Sequence, residues 1–260
     1  MKKIKTAFSK NYFLLPLLIV SCVISFYACK KTDQQLPAEA LHQDMVDYLA
    51  KVYGFNKNTI EATKDEIIAE GDMVFSANDF WKKYTVNLND NAKHYKYGKV
   101  TATSNILINV ASGTPTEWVD AAKSAVTAWN SISGGLTFSI KTNVNQSTSG
   151  VSVYMAELPG TFWKKPYALA EYPSGGYPGW RIRINTKGFS STKSEKIGIM
   201  VHEIGHCIGL THTDSGEGTL IGNLGTCSTG TDNASIMKDD GTYSWSGFSE
   251  CDKKAYDAFY

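Results

Sequence analysis

Residues His202 to His212 read HEIGHCIGLTH, and this run constrains the chain more than any other. Three of the five histidines fall within it. On a helix, residues four apart lie on one face a turn from each other, so His202 and His206 aim their imidazoles at one point. Gly209 can take the left-handed conformation that ends a helix, which lets the chain turn and bring His212 back to the same point. Glu203 stands one step round from His202, where a carboxylate reaches that place without being a ligand. Three imidazoles leave a fourth position open, the arrangement of a catalytic site holding one zinc ion. A zinc bound only for structure would want a fourth protein ligand, and none is evident nearby in the sequence. The plain alternative is a core helix whose histidines are merely hydrogen-bonded.

The same residues carry a resemblance. His202, Glu203, His206, Gly209 and His212 match the long zinc signature of the metzincin clan of metallopeptidases, and Ser235-Ile236-Met237 resembles its Met-turn. HEIGH followed by Ile208-Gly209 and His212-Thr213-Asp214 is most similar to the dual-action HEIGH metallopeptidases, which are bacterial secreted or envelope proteins. The likeness runs over roughly residues 100–260. It implies an α+β, zincin-like domain with a mixed, mostly parallel twisted sheet, an active-site helix and a Met-turn, preceded by a small extension. It also implies hydrolysis of peptide bonds in a protein or peptide substrate by a zinc-activated water, with Glu203 as general base and Met237 as an apolar floor under the ligands. In some metzincins a tyrosine two residues after that methionine assists the chemistry; here the position is Asp239, and Tyr243 is the nearest tyrosine. Asp214 either orients His212 or makes a turn. The rival functions are a binding module that keeps the fold without activity, and a zinc hydrolase acting on a non-peptide substrate.

The N-terminus has its own pattern. Lys2, Lys3, Lys5 and Lys10 precede an apolar stretch from Tyr12 to Ala28, broken by Pro16, and Cys29 follows with Lys30 and Lys31 behind it. Basic, apolar and small-residue regions in that order predict an export signal over residues 1–28. The stretch is near the lower limit for crossing a bilayer, so a retained anchor helix is the alternative. Ala28-Cys29 resembles a lipobox, in which the cysteine becomes the lipid-bearing first residue after cleavage. Ile19-Val20-Ser21-Cys22 fits that pattern better in residue type but would cut the apolar region short. The expected location is the bacterial cell envelope, lipid-anchored or secreted. Outside the signal, Cys207, Cys227 and Cys251 allow one disulfide, from Cys207 or Cys251 to Cys227, and spacing does not choose between them.

A net charge of +1 gives no electrostatic case for nucleic acid, and a monomer is expected. Residues 29–99 read as a tether and a pro-like extension, and residues 100–260 as the catalytic domain. Within the extension, Leu41 to Tyr53 has helical spacing, Glu66 to Phe75 looks like a hairpin, and Asn78 to Val100 reads as a polar linker. Glu70-Gly71-Asp72-Met73 is similar to the Gly-Asp segment with which astacin-type precursors place an aspartate on zinc. Asp72 is therefore either a latency ligand or part of an ordinary hairpin turn. In the catalytic half, strands are expected at Ile106–Val110, Thr137–Lys141, Val151–Met155, Ala168–Tyr172 and Arg181–Asn185, with a helix over Thr116–Ser131. Thr192-x-x-Glu195 forms a capping box that starts the histidine helix, and Ser249 caps a last helix. Tyr167 to Tyr172 is the candidate sheet edge for an extended substrate.

Overall fold

The computed structural model describes residues 38–85, 98–147, 149–158, 166–187, 191–214, 227, 232–239 and 243–260. The predicted signal and Cys29 lie outside the described residues. No helix among the described residues is long and apolar enough to cross a membrane.

The chain enters through helix α1 (Ala38–Tyr48), which runs on as one wider turn over Leu49–Tyr53. Three short strands follow, β1 (Glu61–Ala62), β2 (Glu66–Ala69) and β3 (Met73–Ser76), and then a five-residue helix, α2 (Phe80–Tyr84). The hairpin predicted at Glu66–Phe75 is β2 and β3. The expected linker from Asn78 is partly structured instead, since Phe80 and Tyr84 of α2 are buried against Leu49, Phe75 and Tyr172. A helix barely longer than one turn has no periodicity to read, and its two buried aromatics are what hold it.

Next come β4 (Asn105–Ala111), α3 (Thr116–Asn130), β5 (Thr137–Val144), β6 (Val151–Ala156), β7 (Ala168–Glu171) and β8 (Arg181–Asn185). Helix α4 (Lys193–Cys207) carries the histidines, and α5 (Glu250–Phe259) closes the chain. One eight-stranded sheet has the order β1-β2-β3-β7-β8-β6-β4-β5. The β4–β5, β4–β6, β6–β8 and β3–β7 pairs are parallel, and β1–β2, β2–β3 and β7–β8 are antiparallel. Ile106, Ile108 and Val110 of β4 alternate onto one face, where they meet Trp118, Ala122, Ala125 and Trp129 of α3 and Ile199, Val201 and Ile204 of α4. Small residues at Ala121, Ala122 and Ala125 let α3 lie close to α4, and the Trp129 indole N–H donates to Val201 O at 3.1 Å.

The expected Thr192 capping box forms, and the Ser249 cap is a capping box as well. Thr192 accepts from Glu195 N at 3.2 Å while the Glu195 carboxylate accepts from Thr192 N; Ser249 and Asp252 make the same exchange. Cys227 bonds to Cys251, and Cys207 is a free thiol buried in the core, pushed up in pKa by burial.

The segment after the Met-turn lies directly on α4, because a Cβ at Gly198 would sit 1.7 Å from Tyr243 O. Helix propensity alone would favour alanine there by about 1 kcal/mol, but a backbone carbonyl cannot yield as a side chain can. Gly198→Ala should therefore lower stability by about 1–3 kcal/mol, read as a lower urea midpoint at unchanged slope; an unchanged or higher midpoint would show that this contact does not constrain the fold.

Candidate metal centre

Residues Gly198 to Cys207 of α4 are buried without exception, so the helix carries His202, Glu203 and His206 into the interior. Gly209 then turns the chain with φ of +96°, and a Cβ there would lie 2.2 Å from Gly98 O. A side chain is thus excluded by conformation and by space at the residue that sends His212 back. Burial of His202, His206 and His212 is nearly complete, at 0%, 0% and 3% exposure.

The three rings converge. Nε2 of His202 and Nε2 of His206 are 2.9 Å apart, and each is 3.2 Å from Nε2 of His212. On the far side of each ring, His202 Nδ1 donates to Ile236 O at 2.8 Å and His206 Nδ1 donates to Leu210 O at 2.8 Å. A carbonyl only accepts, so both Nδ1 atoms carry the ring proton and both Nε2 atoms present bare lone pairs when the rings are neutral. Burial, then the neighbouring His206, pushes His202 down to about 4, so that ring is neutral near pH 7. Three ring nitrogens this close share one proton at best. Ligand nitrogens held at about 2.0–2.1 Å in a tetrahedron stand about 3.3 Å from one another, close to the spacing found. The residues present fit a divalent transition metal.

A fourth donor completes the group. Asp72, from the loop between β2 and β3, sets Oδ2 3.1 Å from His212 Nε2 and 3.3 Å from His202 Nε2, and Oδ1 3.4 Å from His206 Nε2. Asp72, His202, His206 and His212 each bring a ligand atom within 4.8 Å of the others, all of them buried. Burial works against the Asp72 charge, but the His212 and His206 rings outweigh it and hold the carboxyl well below its usual range. His212 moves the opposite way: burial disfavours its charge, yet the Asp72 and Glu70 carboxylates raise it well above an ordinary histidine.

Glu203 is 2% exposed, and its Oε2 has no hydrogen-bond partner among the described residues. Burial, followed by the Asp72 charge, pushes its carboxyl well above the usual range. Met237 lies beneath the ligand helix, where a Cβ on Gly205 would be 2.5 Å from its sulfur. The Met-turn is tied to its surroundings at both ends: Thr213 N donates to Met237 O at 2.9 Å, and Ile236 N donates to Asp252 Oδ2 at 3.1 Å. Asp214 accepts from Asp239 N at 2.8 Å, so it links the chain after His212 to the Met-turn segment. Tyr243 is buried with its ring 5.0 Å from that of His202 and 5.6 Å from that of Tyr167.

Two things were not foreseen. Asp252, which the sequence reading did not single out, pairs with the Ser249 cap and also accepts from Ser235 Oγ at 2.5 Å, and so fixes the Met-turn from α5. The expected substrate edge is covered, since β3 pairs with β7 through Met73↔Ala170 and Val74↔Glu171. Glu66 of β2 strengthens that pairing by meeting both Arg181 and Arg183 of β8, the latter at 2.8 Å, while Arg181 also reaches Glu171 at 3.0 Å.

Metal ligands presented in this way, beside a glutamate on a buried helix that packs under a mixed sheet, define an α+β metallopeptidase of the zincin type. The model of the dual-action HEIGH metallopeptidase family matches residues 67–244, and the chain belongs to that family. The matched region begins within β2 and includes Asp72. Two solved structures are similar. One, titled "Structure of Myroilysin", is 15% identical, covers 68% of this chain and 89% of its own, and has a TM-score of 0.41. The other, "Crystal structure of myroilysin", is 16% identical over 66% and 96%, with a TM-score of 0.37. No curated protein matches the sequence.

Adding a divalent transition metal to chelator-stripped protein should raise the melting temperature. A hundredfold excess over the dissociation constant is worth about 2.7 kcal/mol. His206→Ala should abolish most of the rise, and an equal rise in that variant would place the metal elsewhere.

Proposed function

We propose that the chain is a zinc-dependent metalloendopeptidase, exported to the bacterial envelope and held latent by its own extension. The observation that carries the reading is the meeting of three Nε2 atoms, two of them from the helix that also buries Glu203, whose Oε2 has no hydrogen-bond partner among the described residues. His202, His206 and His212 would hold the zinc, and imidazole nitrogens suit that metal. When bound, zinc acts as a Lewis acid on the scissile carbonyl and lowers the pKa of water.

Glu203 is the general base and then the general acid, taking a proton from water and delivering it to the leaving amine. Burial raises its proton affinity, which suits a group that takes up a proton and later returns it. Met237 gives the ligand helix an apolar floor, and the Ile236 and Leu210 carbonyls fix the tautomers of His202 and His206. An extended substrate would pair with β7, whose other side is already bonded to β8. Binding a chain along its middle at a sheet edge favours endopeptidase over exopeptidase action.

Asp72 is the latency ligand in this reading. It stands where the fourth ligand position is expected, and the strand that follows it occupies the substrate edge. The extension therefore blocks twice, once with a carboxylate and once with backbone pairing. Residues 29–99 act as the pro-segment and residues 100–260 as the peptidase, working as a monomer. Export and lipidation at Cys29 rest on the basic, apolar and small-residue order of the first 29 residues.

Glu203→Gln should retain metal while its cleavage of casein falls by about 10²–10⁴-fold; full cleavage by that variant would remove the assigned base. The latency reading has its own test. A chain starting at Lys99 should hydrolyse peptides at least tenfold faster than the full chain, about 1.4 kcal/mol, and equal rates would show that the extension does not inhibit.

A further inference from the structure

Each ligating imidazole needs a group to hold its Nδ1 side, and the groups facing the three Nδ1 atoms come from different places. For His202 and His206 they are carbonyls of the catalytic domain, Ile236 O and Leu210 O. For His212 the group facing Nδ1 is Glu70 Oε2, 3.1 Å away and on the extension. The two atoms are at ion-pair distance, but the alignment falls short of a hydrogen bond, and neither Glu70 oxygen has another hydrogen-bond partner among the described residues. Glu70 is 4% exposed. An unpartnered carboxylate this deeply buried is costly unless it serves a neighbour.

The backbone points the same way. Glu70 opens the three-residue loop between Ala69 and Met73, and it has φ of +53°, a left-handed conformation that Asn or Gly would adopt with less strain. Gly71 follows at φ of +92° and turns the chain so that Asp72 enters the same site. Local turn chemistry and burial both argue against glutamate at this position. Its contact with His212 is what the described structure offers in return.

We infer that Glu70 is a positioning residue for the third ligand, so the extension completes the metal centre twice over, with Asp72 on the metal side and Glu70 behind His212. The inference rests on the zinc reading above and deepens it. The uncleaved chain is then the form that takes up and keeps the metal best, and loss of the extension loosens the metal as it opens the site. Carboxylates behind ligating imidazoles fix the ring and raise its basicity.

The test uses the full chain, stripped of metal and titrated with zinc against a chromophoric chelator. Glu70→Asn removes the carboxylate from reach while suiting the left-handed backbone, and its zinc dissociation constant should rise about 10–100-fold. The metal-free melting temperature should stay the same or increase, which a merely structural loss would not give. Glu70→Gln keeps an acceptor at the same reach and should show a clearly smaller rise. Equal affinity in Glu70→Asn and the unaltered chain overturns the inference. So does an equal loss in both variants, because charge alone would then account for it. Failure of the unaltered chain to bind zinc is a separate outcome that overturns the metal reading itself, and the inference falls with it.

Discussion

Three buried imidazoles whose Nε2 atoms converge on one point form the constraint around which the rest is arranged. Their Nε2 atoms approach to 2.9–3.2 Å, and two of the three have their only ring proton committed on the opposite side. The Nε2 lone pairs of neutral His202 and His206, 2.9 Å apart, repel each other. A divalent cation converts the repulsion into coordination. The buried helix, the glycine that turns the chain, the Met-turn carbonyl and the Asp252 anchor on α5 all hold that convergence in place. Their common feature is that each fixes a ring or a backbone carbonyl rather than filling space.

The segment from residue 38 to 84 is built into the same structure. It adds three strands to the catalytic sheet, buries its aromatics against Tyr172, and ties Glu66 to Arg181 and Arg183 at side chains that are only 13–15% exposed. Such a pair has limited access to water, so parting it leaves guanidinium groups without their carboxylate partner. Arg181 retains Glu171, whereas Arg183 has no other described ion pair. Backbone pairing at β7, ionic contact at β8 and a carboxylate among the imidazoles hold this segment at three places at once.

Legibility in the sequence followed the range of the interaction. The strands from Ile106 to Asn185, helix α3, the Thr192 capping box and the Ser249 cap were readable because alternation, 3.6-residue spacing and cap residues are local patterns. His202, Glu203, His206 and the role of Gly209 were readable for the same reason. Asp72 could be named only through likeness to astacin-type precursors, since nothing in its neighbourhood points to a partner 130 residues away. Glu70 was not singled out at all, because a carboxylate facing a histidine far along the chain looks like any other turn residue. Pairing of β3 with β7 was equally hidden, a parallel contact between distant segments that leaves no mark on either. The choice of Cys251 over Cys207 for the disulfide depended on which side of α4 faces the core, and Cys207 is packed there beside Arg181 O.

X-ray absorption at the zinc edge on the intact chain tests the central claim most directly. The account predicts one zinc per chain with a first shell of three imidazole nitrogens and one carboxylate oxygen. A shell containing sulfur, or fewer than three imidazoles, or protein that holds no zinc after reconstitution, would contradict it.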